Sequence, residues 1–184
     1  MKIRLKNFKL LSTADHGEVL RLRNLGYIRS QMAHSEIISS SNHVEWVKRL
    51  NDSCQYYAVL LDDEIIGNLS VTEIDLESKS CTWSCFFKDS VHAFIISLAT
   101  IKFIDYVFNE MEIEKLNLFT KKTNLNALNF DVGLGFCEYK RDADYIYMTL
   151  DQITWGSLQS SELFKSIKRK IERVDFALES ARFI

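Results

Sequence analysis

A chain of 184 residues, 47% apolar and 26% charged, has the size and composition of one globular domain with a sizeable core. A net charge of −2 excludes a global electrostatic drive toward nucleic acid or an anionic membrane, and no apolar run is long enough for a membrane span. The four histidines are scattered and the four cysteines form no C-x-x-C pair, so neither a metal site nor a redox motif is indicated. Cys81 and Cys85 share a strand face but lie roughly 13 Å apart along it, too far to bridge. The opening Met1-Lys2-Ile3-Arg4 reads as a strand and not as a signal peptide. The expected location is cytoplasmic, with Cys54, Cys81, Cys85 and Cys137 reduced and mostly buried.

Residues 3–11 alternate and predict a first strand. A helix follows from about Asp15 to Met32, with Val19, Leu22, Leu25, Ile28 and Met32 on one face and Gly26 as a candidate break. Ser39 to Asn42 offer caps for a second helix over 43–51, and Asn42 with Glu45 has capping-box spacing. Tyr56 to Leu61 is a buried strand, Asp62-Asp63-Glu64 a turn, and Ile65 to Val71 the returning arm of a hairpin. Strand 80–87 continues this meander. Asp89-Ser90 is a plausible cap for a long helix carrying Leu98, Ile101, Ile104, Phe108 and Met111. Lys115 to Thr120 alternates as a strand, and Thr123 or Asn124 then caps a short helix with Ala127, Leu128 and Leu134. A final strand spans 143–150.

Beyond Trp155, the residues Leu163, Ile167, Ile171, Val174 and Leu178 lie at helical spacing, with Lys165, Lys168, Arg169, Lys170 and Arg173 opposite them. This predicts an amphipathic helix over 160–182, docked on the domain or on a second subunit in a homodimer. A membrane-surface helix is the weaker alternative, because acidic residues dilute the charge. The expected division is therefore a domain over 1–155 and a helical extension over 156–184.

Two motifs stand in order. One is Phe103-Ile104-Asp105-Tyr106-Val107-Phe108-Asn109-Glu110 followed by Ile113-Glu114-Lys115-Leu116. The other is Asn124-x-x-Ala127-Leu128-x-Phe130-x-x-x-Leu134-Gly135-Phe136. Together they resemble the core of the GNAT superfamily of acyl-CoA-dependent N-acetyltransferases. The resemblance implies an α/β (α+β) fold with a mixed seven-stranded sheet flanked by helices. Strands 80–87 and 115–120 would be parallel and splayed. It also implies acetyl-CoA, or another acyl-CoA, as cofactor and a small-molecule amine as acceptor. Residues 21–47 are similar to the N-terminal half of several branches. The nearest is the branch that acetylates UDP-linked amino sugars, and polyamine and ribosomal-protein branches share part of the pattern.

Residue by residue, the resemblance places a pantetheine arm against Phe86, Phe87 and Lys88. The pyrophosphate falls at Ser90, His92, Ala93 and Phe94, and Asn124 is a further cofactor-binding candidate. It places Arg23, Asn24, Arg29, Met32 and His43 on the acceptor side, where Arg23, Arg29 and His43 have the chemistry to meet a diphosphate. The competing reading has both arginines solvated and His43 capping its helix. Glu73 is the candidate base, against a plain surface carboxylate beside Asp75 and Glu77. Two departures stand out. The loop over 90–96 has no glycine where the family is glycine-rich. The position of the family's tyrosine acid is Asp131, so Tyr139 is the candidate substitute. These departures keep open a second function class, a GNAT-fold binding module with a degenerate cofactor site.

Overall fold

The computed structural model describes residues 1–162, 164, 167 and 173–180. Strand β1 (Lys2–Asn7) is followed by helices α1 (Thr13–Arg23), α2 (Gly26–Arg29) and α3 (Ser40–Lys48). An antiparallel meander comes next: β2 (Gln55–Leu61), β3 (Glu64–Asp75) and β4 (Ser80–Phe87). Helix α4 (Ala93–Glu110), strand β5 (Lys115–Lys121) and helix α5 (Leu125–Gly133) lead to the hairpin of β6 (Cys137–Arg141) and β7 (Tyr145–Asp151). Helix α6 (Gln152–Gln159) and strand β8 (Asp175–Glu179) complete the described elements. The strands form one mixed sheet in the order β6-β7-β5-β4-β3-β2-β1-β8, which is eight strands where seven were expected.

Alternation along β2 separates two cores. Tyr57 and Val59 join the larger cluster under α4, and Ala58 and Leu60 join a smaller one with Phe8, Val19 and Leu22. Leu98, Ile101, Ile104 and Phe108 are buried as their spacing predicts. The β2–β3 turn puts Asp62 and Asp63 at φ of 44° and 75°, a pair of positive values that suits a tight hairpin. Of the four free cysteines only Cys81 is fully buried, and Cys137 is exposed.

Strands β4 and β5 run parallel but pair only over Ser80–Thr82 and Lys115–Asn117. Past that point β4 stays with β3 as far as Phe87, while β5 stays with β7 as far as Lys121. The two strands therefore part, as expected, and open a gap in the middle of the sheet.

Several local expectations shift. The helix expected over 15–32 ends at Arg23, because the Asn24 side chain turns aside to bond both N–H and C=O of Ile38. Ser39, not Asn42, caps α3, accepting from the Asn42 N–H at 3.2 Å. His92 caps α4 in place of Asp89-Ser90, its Nδ1 accepting from the Phe94 N–H at 3.2 Å. The helix predicted over 160–182 is corrected at its far end. Residues 175–179 are a strand, parallel to β1 with Ile3 opposite Phe176 and Leu5 opposite Leu178. Without β8, β1 would expose a row of unpaired backbone groups. Ile167, Val174, Phe176 and Leu178 pack on the main core of their own chain. Leu163 and Ile171 lie outside the described residues.

Candidate active site

The gap between β4 and β5 leads into a cavity of about 500 Å³. Its walls are Thr82 to Phe86 of β4, Leu118 to Thr120 of β5, one face of α5, and the loop around Met32 and His34. The α5 face is set by helical spacing: Asn124, Ala127 and Asp131 all line the cavity. Asn124 starts that helix by accepting from the Ala127 N–H at 3.2 Å. Gly135, at φ 93°, ends it. There Phe136 N–H bonds the Asp131 carbonyl and Gly135 N–H bonds that of Val132, the paired closure that favours glycine after a helix. The Leu134-Gly135-Phe136 run therefore fixes the end of the helix that carries Asp131.

Asp131 is 4% exposed, and its Oδ2 accepts from Thr120 Oγ1 at 3.2 Å. Burial pushes its carboxyl up to about 7, with the Thr120 hydrogen bond opposing. Cys85, across the gap on β4, has its thiol pushed up by burial and then by the charge of Asp131.

A second cavity, of about 600 Å³, adjoins the first, and Arg23, His34, Tyr56, Asn68 and Phe86 line both. Its inner wall is aromatic. Trp46 stands 4.8 Å from Tyr56 and 5.5 Å from His43, centroid to centroid. Three side chains from α1 and the stretch after it hold its rim. Arg23 Nη2 donates to the His34 carbonyl and Arg29 Nη1 to that of Ser35, each at 2.8 Å, while Asn24 holds Ile38. Arg23 Nη1 and Arg29 Nε are buried without a hydrogen-bond partner. Burial, and next the charge of Arg29, lowers the pKa of Arg23.

The profile of the acetyltransferase (GNAT) domain matches residues 8–154, most of the chain. This protein belongs to the GNAT acetyltransferase family. It is 26% identical over 160 residues to acetyltransferase PseH of Campylobacter jejuni subsp. jejuni serotype O:23/36 (strain 81-176), covering 86% of this chain and 99% of the relative. The crystal structure of Campylobacter jejuni N-acetyltransferase PseH in complex with acetyl coenzyme A superposes with a TM-score of 0.67 at 26% identity, over 82% of this chain and 99% of that one. Two more distant GNAT structures share the fold. Spermidine N-acetyltransferase from Vibrio cholerae, in complex with CoA and spermine, has a TM-score of 0.72 at 19% identity over 84% of this chain and 98% of its own. FdhC, a nucleotide-linked sugar GNAT, has 0.72 at 15% over 89% and 98%.

Within this GNAT frame the residues singled out from sequence divide. Glu73, Arg23, Met32, Phe86 and Asn124 line the first cavity, and His43 lines the second. Glu73 sits at φ 52° beside a register shift in β3, and its carboxylate accepts from Thr82 Oγ1 at 2.7 Å. Asn24 and Arg29 lie just behind the rim they hold. His43 does not cap its helix. It is 6% exposed with Nε2 unpartnered, and burial, then the charge of His16, lowers its pKa, which favours the neutral ring. Phe87 packs its ring against Gly67, where a Cβ would come within 2.5 Å. The Lys88 ammonium is taken up by Glu64 at 2.6 Å and Glu18 at 3.5 Å. Ser90, His92, Ala93 and Phe94 gather at the start of α4, outside both cavities.

Tyr139 is not brought to this site. It is 58% exposed on β6, the outer strand of the sheet, where its ring packs 6.4 Å from Tyr147. It lines neither cavity. Sequence reasoning named Asp131 only as the place of an absent tyrosine and passed over the aspartate itself as a functional candidate. Its signal was that register, together with a lone acid on the cavity-facing side of the helix four residues after Ala127.

Proposed function

We propose that this GNAT chain is an acetyl-CoA-dependent N-acetyltransferase whose acceptor is a nucleotide-linked amino sugar. The observation that carries the acceptor class is the pair of buried, unpartnered guanidinium N–H groups on Arg23 and Arg29. A buried donor left unmade costs about 1–3 kcal/mol, and an arriving phosphate oxygen removes that cost with a charge-assisted bond. Arg23 also lines both cavities, so an anion bound there is continuous with the gap in the sheet. The aromatic wall of Trp46 and Tyr56 offers a face for a flat base. Residues 21–47 resemble the branch that acts on UDP-linked amino sugars, which makes UDP the nucleotide to try first.

The residues present fit acetyl-CoA at its reactive end. Beyond Thr82, β4 has no pairing with β5, so its free edge over 83–87 can take an amide-bearing arm as an added strand. At the phosphate end the fit is tighter. The start of α4 presents Ser90, His92 and Phe94 instead of glycine, and the Phe94 N–H is already held by His92. Bound acetyl-CoA supplies an activated acyl carbon on a sulfur leaving group.

The chain's own groups do the rest. The β4 edge and Asn124 are the groups that would hold the thioester end of the cofactor. Arg23 and Arg29 anchor the acceptor through its phosphates, which orients the amine. Glu73, held by Thr82 on the wall of the same cavity, takes a proton from that amine.

Calorimetry with acetyl-CoA, followed by an acetylation assay on a UDP-linked 4-amino sugar, tests the reading. Binding and turnover are the expected results. A chain that binds the sugar nucleotide but not millimolar acetyl-CoA would be a binding module on a GNAT fold.

A further inference from the structure

Among the described residues Asp131 is the one fully buried carboxyl. Among those residues no lysine or arginine offsets it, and Thr120 from β5 is its hydrogen-bond partner. Cys85 from β4 feels its charge, and burial together with that charge keeps the thiol protonated. Thr120 and Cys85 each lie three residues beyond the last paired rung of their strands. The carboxyl therefore stands between β4 and β5 where they have just parted, on the wall of the cavity. Asn124 at one end of α5 and the Gly135-Phe136 closure at the other hold it there.

The geometry points to Asp131 as the proton donor to the sulfur that departs in acetyl transfer, an inference that rests on the acetyltransferase reading above. A carboxyl buried without a cation keeps its proton far above the usual carboxylate range. Here burial raises it to about 7, so the proton is present near neutral pH and still transferable. Glu73 accepts a proton from the amine as the nitrogen–carbon bond forms. Asp131 gives its proton to sulfur as the carbon–sulfur bond breaks and its electron pair goes to sulfur. Nitrogen loses one proton and sulfur gains one, so amine and thioester become amide and thiol. Glu73 and Asp131 then return to their starting states by exchange with solvent. Asp131 thus does with a buried acid what Tyr139, exposed on the outer strand and outside the cavity lining, does not do.

Three measurements on the full chain test this. Carboxyl-carbon NMR of the wild type should show one aspartate titrating near pH 7, and that signal should vanish in Asp131→Asn. Calorimetry should give the two proteins acetyl-CoA affinities within about threefold. Turnover of a UDP-linked amino sugar should fall in Asp131→Asn by about a hundredfold or more, and the basic limb of the pH profile should disappear. Thr120→Val is the second variant. It removes the hydrogen bond that favours the carboxylate, so the NMR midpoint and the basic limb should both move to higher pH. An Asp131 that titrates in the ordinary carboxylate range overturns the proposal. So does an Asp131→Asn protein with the wild-type rate and profile. If the wild type binds no acetyl-CoA, the acetyltransferase reading falls and this inference with it. If it binds and turns over while both variants match it, only the role of Asp131 falls.

Discussion

Trp155 donates its indole N–H to Asp105 Oδ1 at 2.9 Å, joining α6 to the middle of α4. The indole is 3% exposed and packs edge-on to Phe164 with ring centroids 5.3 Å apart. Gln159 donates to the same carboxylate oxygen. Replacing Asp105 by Ala strands a buried N–H, which costs about 1–3 kcal/mol. Chemical denaturation should show that loss, and Trp155→Phe with Asp105→Ala together should lose less than the sum of the two single changes.

Gly67 tests how closely β3 and β4 must approach. A Cβ there would meet the Phe86 carbonyl and the Phe87 ring, each at 2.5 Å, and the carbonyl is backbone that cannot swing away. Gly67→Ala should cost about 1–3 kcal/mol by overpacking. The strain falls on the free edge of β4, so acetyl-CoA affinity should drop alongside the melting temperature. A variant of unchanged affinity would show that the β4 edge is not where the pantetheine arm lies.

Arg23→Met keeps much of the side-chain volume and deletes the unpartnered donor. A charge-assisted bond to an anion contributes about 1.5–3 kcal/mol. The acceptor KM should therefore rise roughly ten- to a hundredfold while acetyl-CoA affinity stays the same. Arg23 also holds the His34 carbonyl, so the melting temperature of Arg23→Met is read alongside KM to separate loss of that bond from loss of the anion contact.

Stability should depend on pH through Asp131. Its carboxyl titrates at 3.8 when unfolded and at about 7 in the fold. Below pH 3.8 both states hold the proton and the contribution is fully present. Between 3.8 and about 7 the unfolded chain ionises while the folded one does not, so stability falls as pH rises and levels off above about 7. At about 1.36 kcal/mol per unit the loss is a few kcal/mol. Denaturant melts at pH 5 and pH 8 should show Asp131→Asn gaining on the wild type by that order. An equal difference at both pH values would contradict the raised carboxyl.

Local pattern alone placed β4, α4, β5 and α5, because each buries one regular face and its period survives in the residue order. The Leu134-Gly135-Phe136 closure was legible for the same reason: a left-handed turn after a helix selects glycine within a few residues. Arg23 and His43 were legible as residue types in a motif, but their states were not. Whether a guanidinium N–H is satisfied, or an imidazole neutral, depends on neighbours distant in sequence. The tail shows the limit of periodicity. Val174 and Leu178 are four apart, which suits a helix, yet 175–179 became a strand because β1 offers an open parallel edge. Asp131 and Tyr139 show it most sharply. By sequence the tyrosine was the acid and the aspartate a missing one. Only the tertiary structure decides which is buried, and burial is what keeps a proton on a carboxyl at neutral pH.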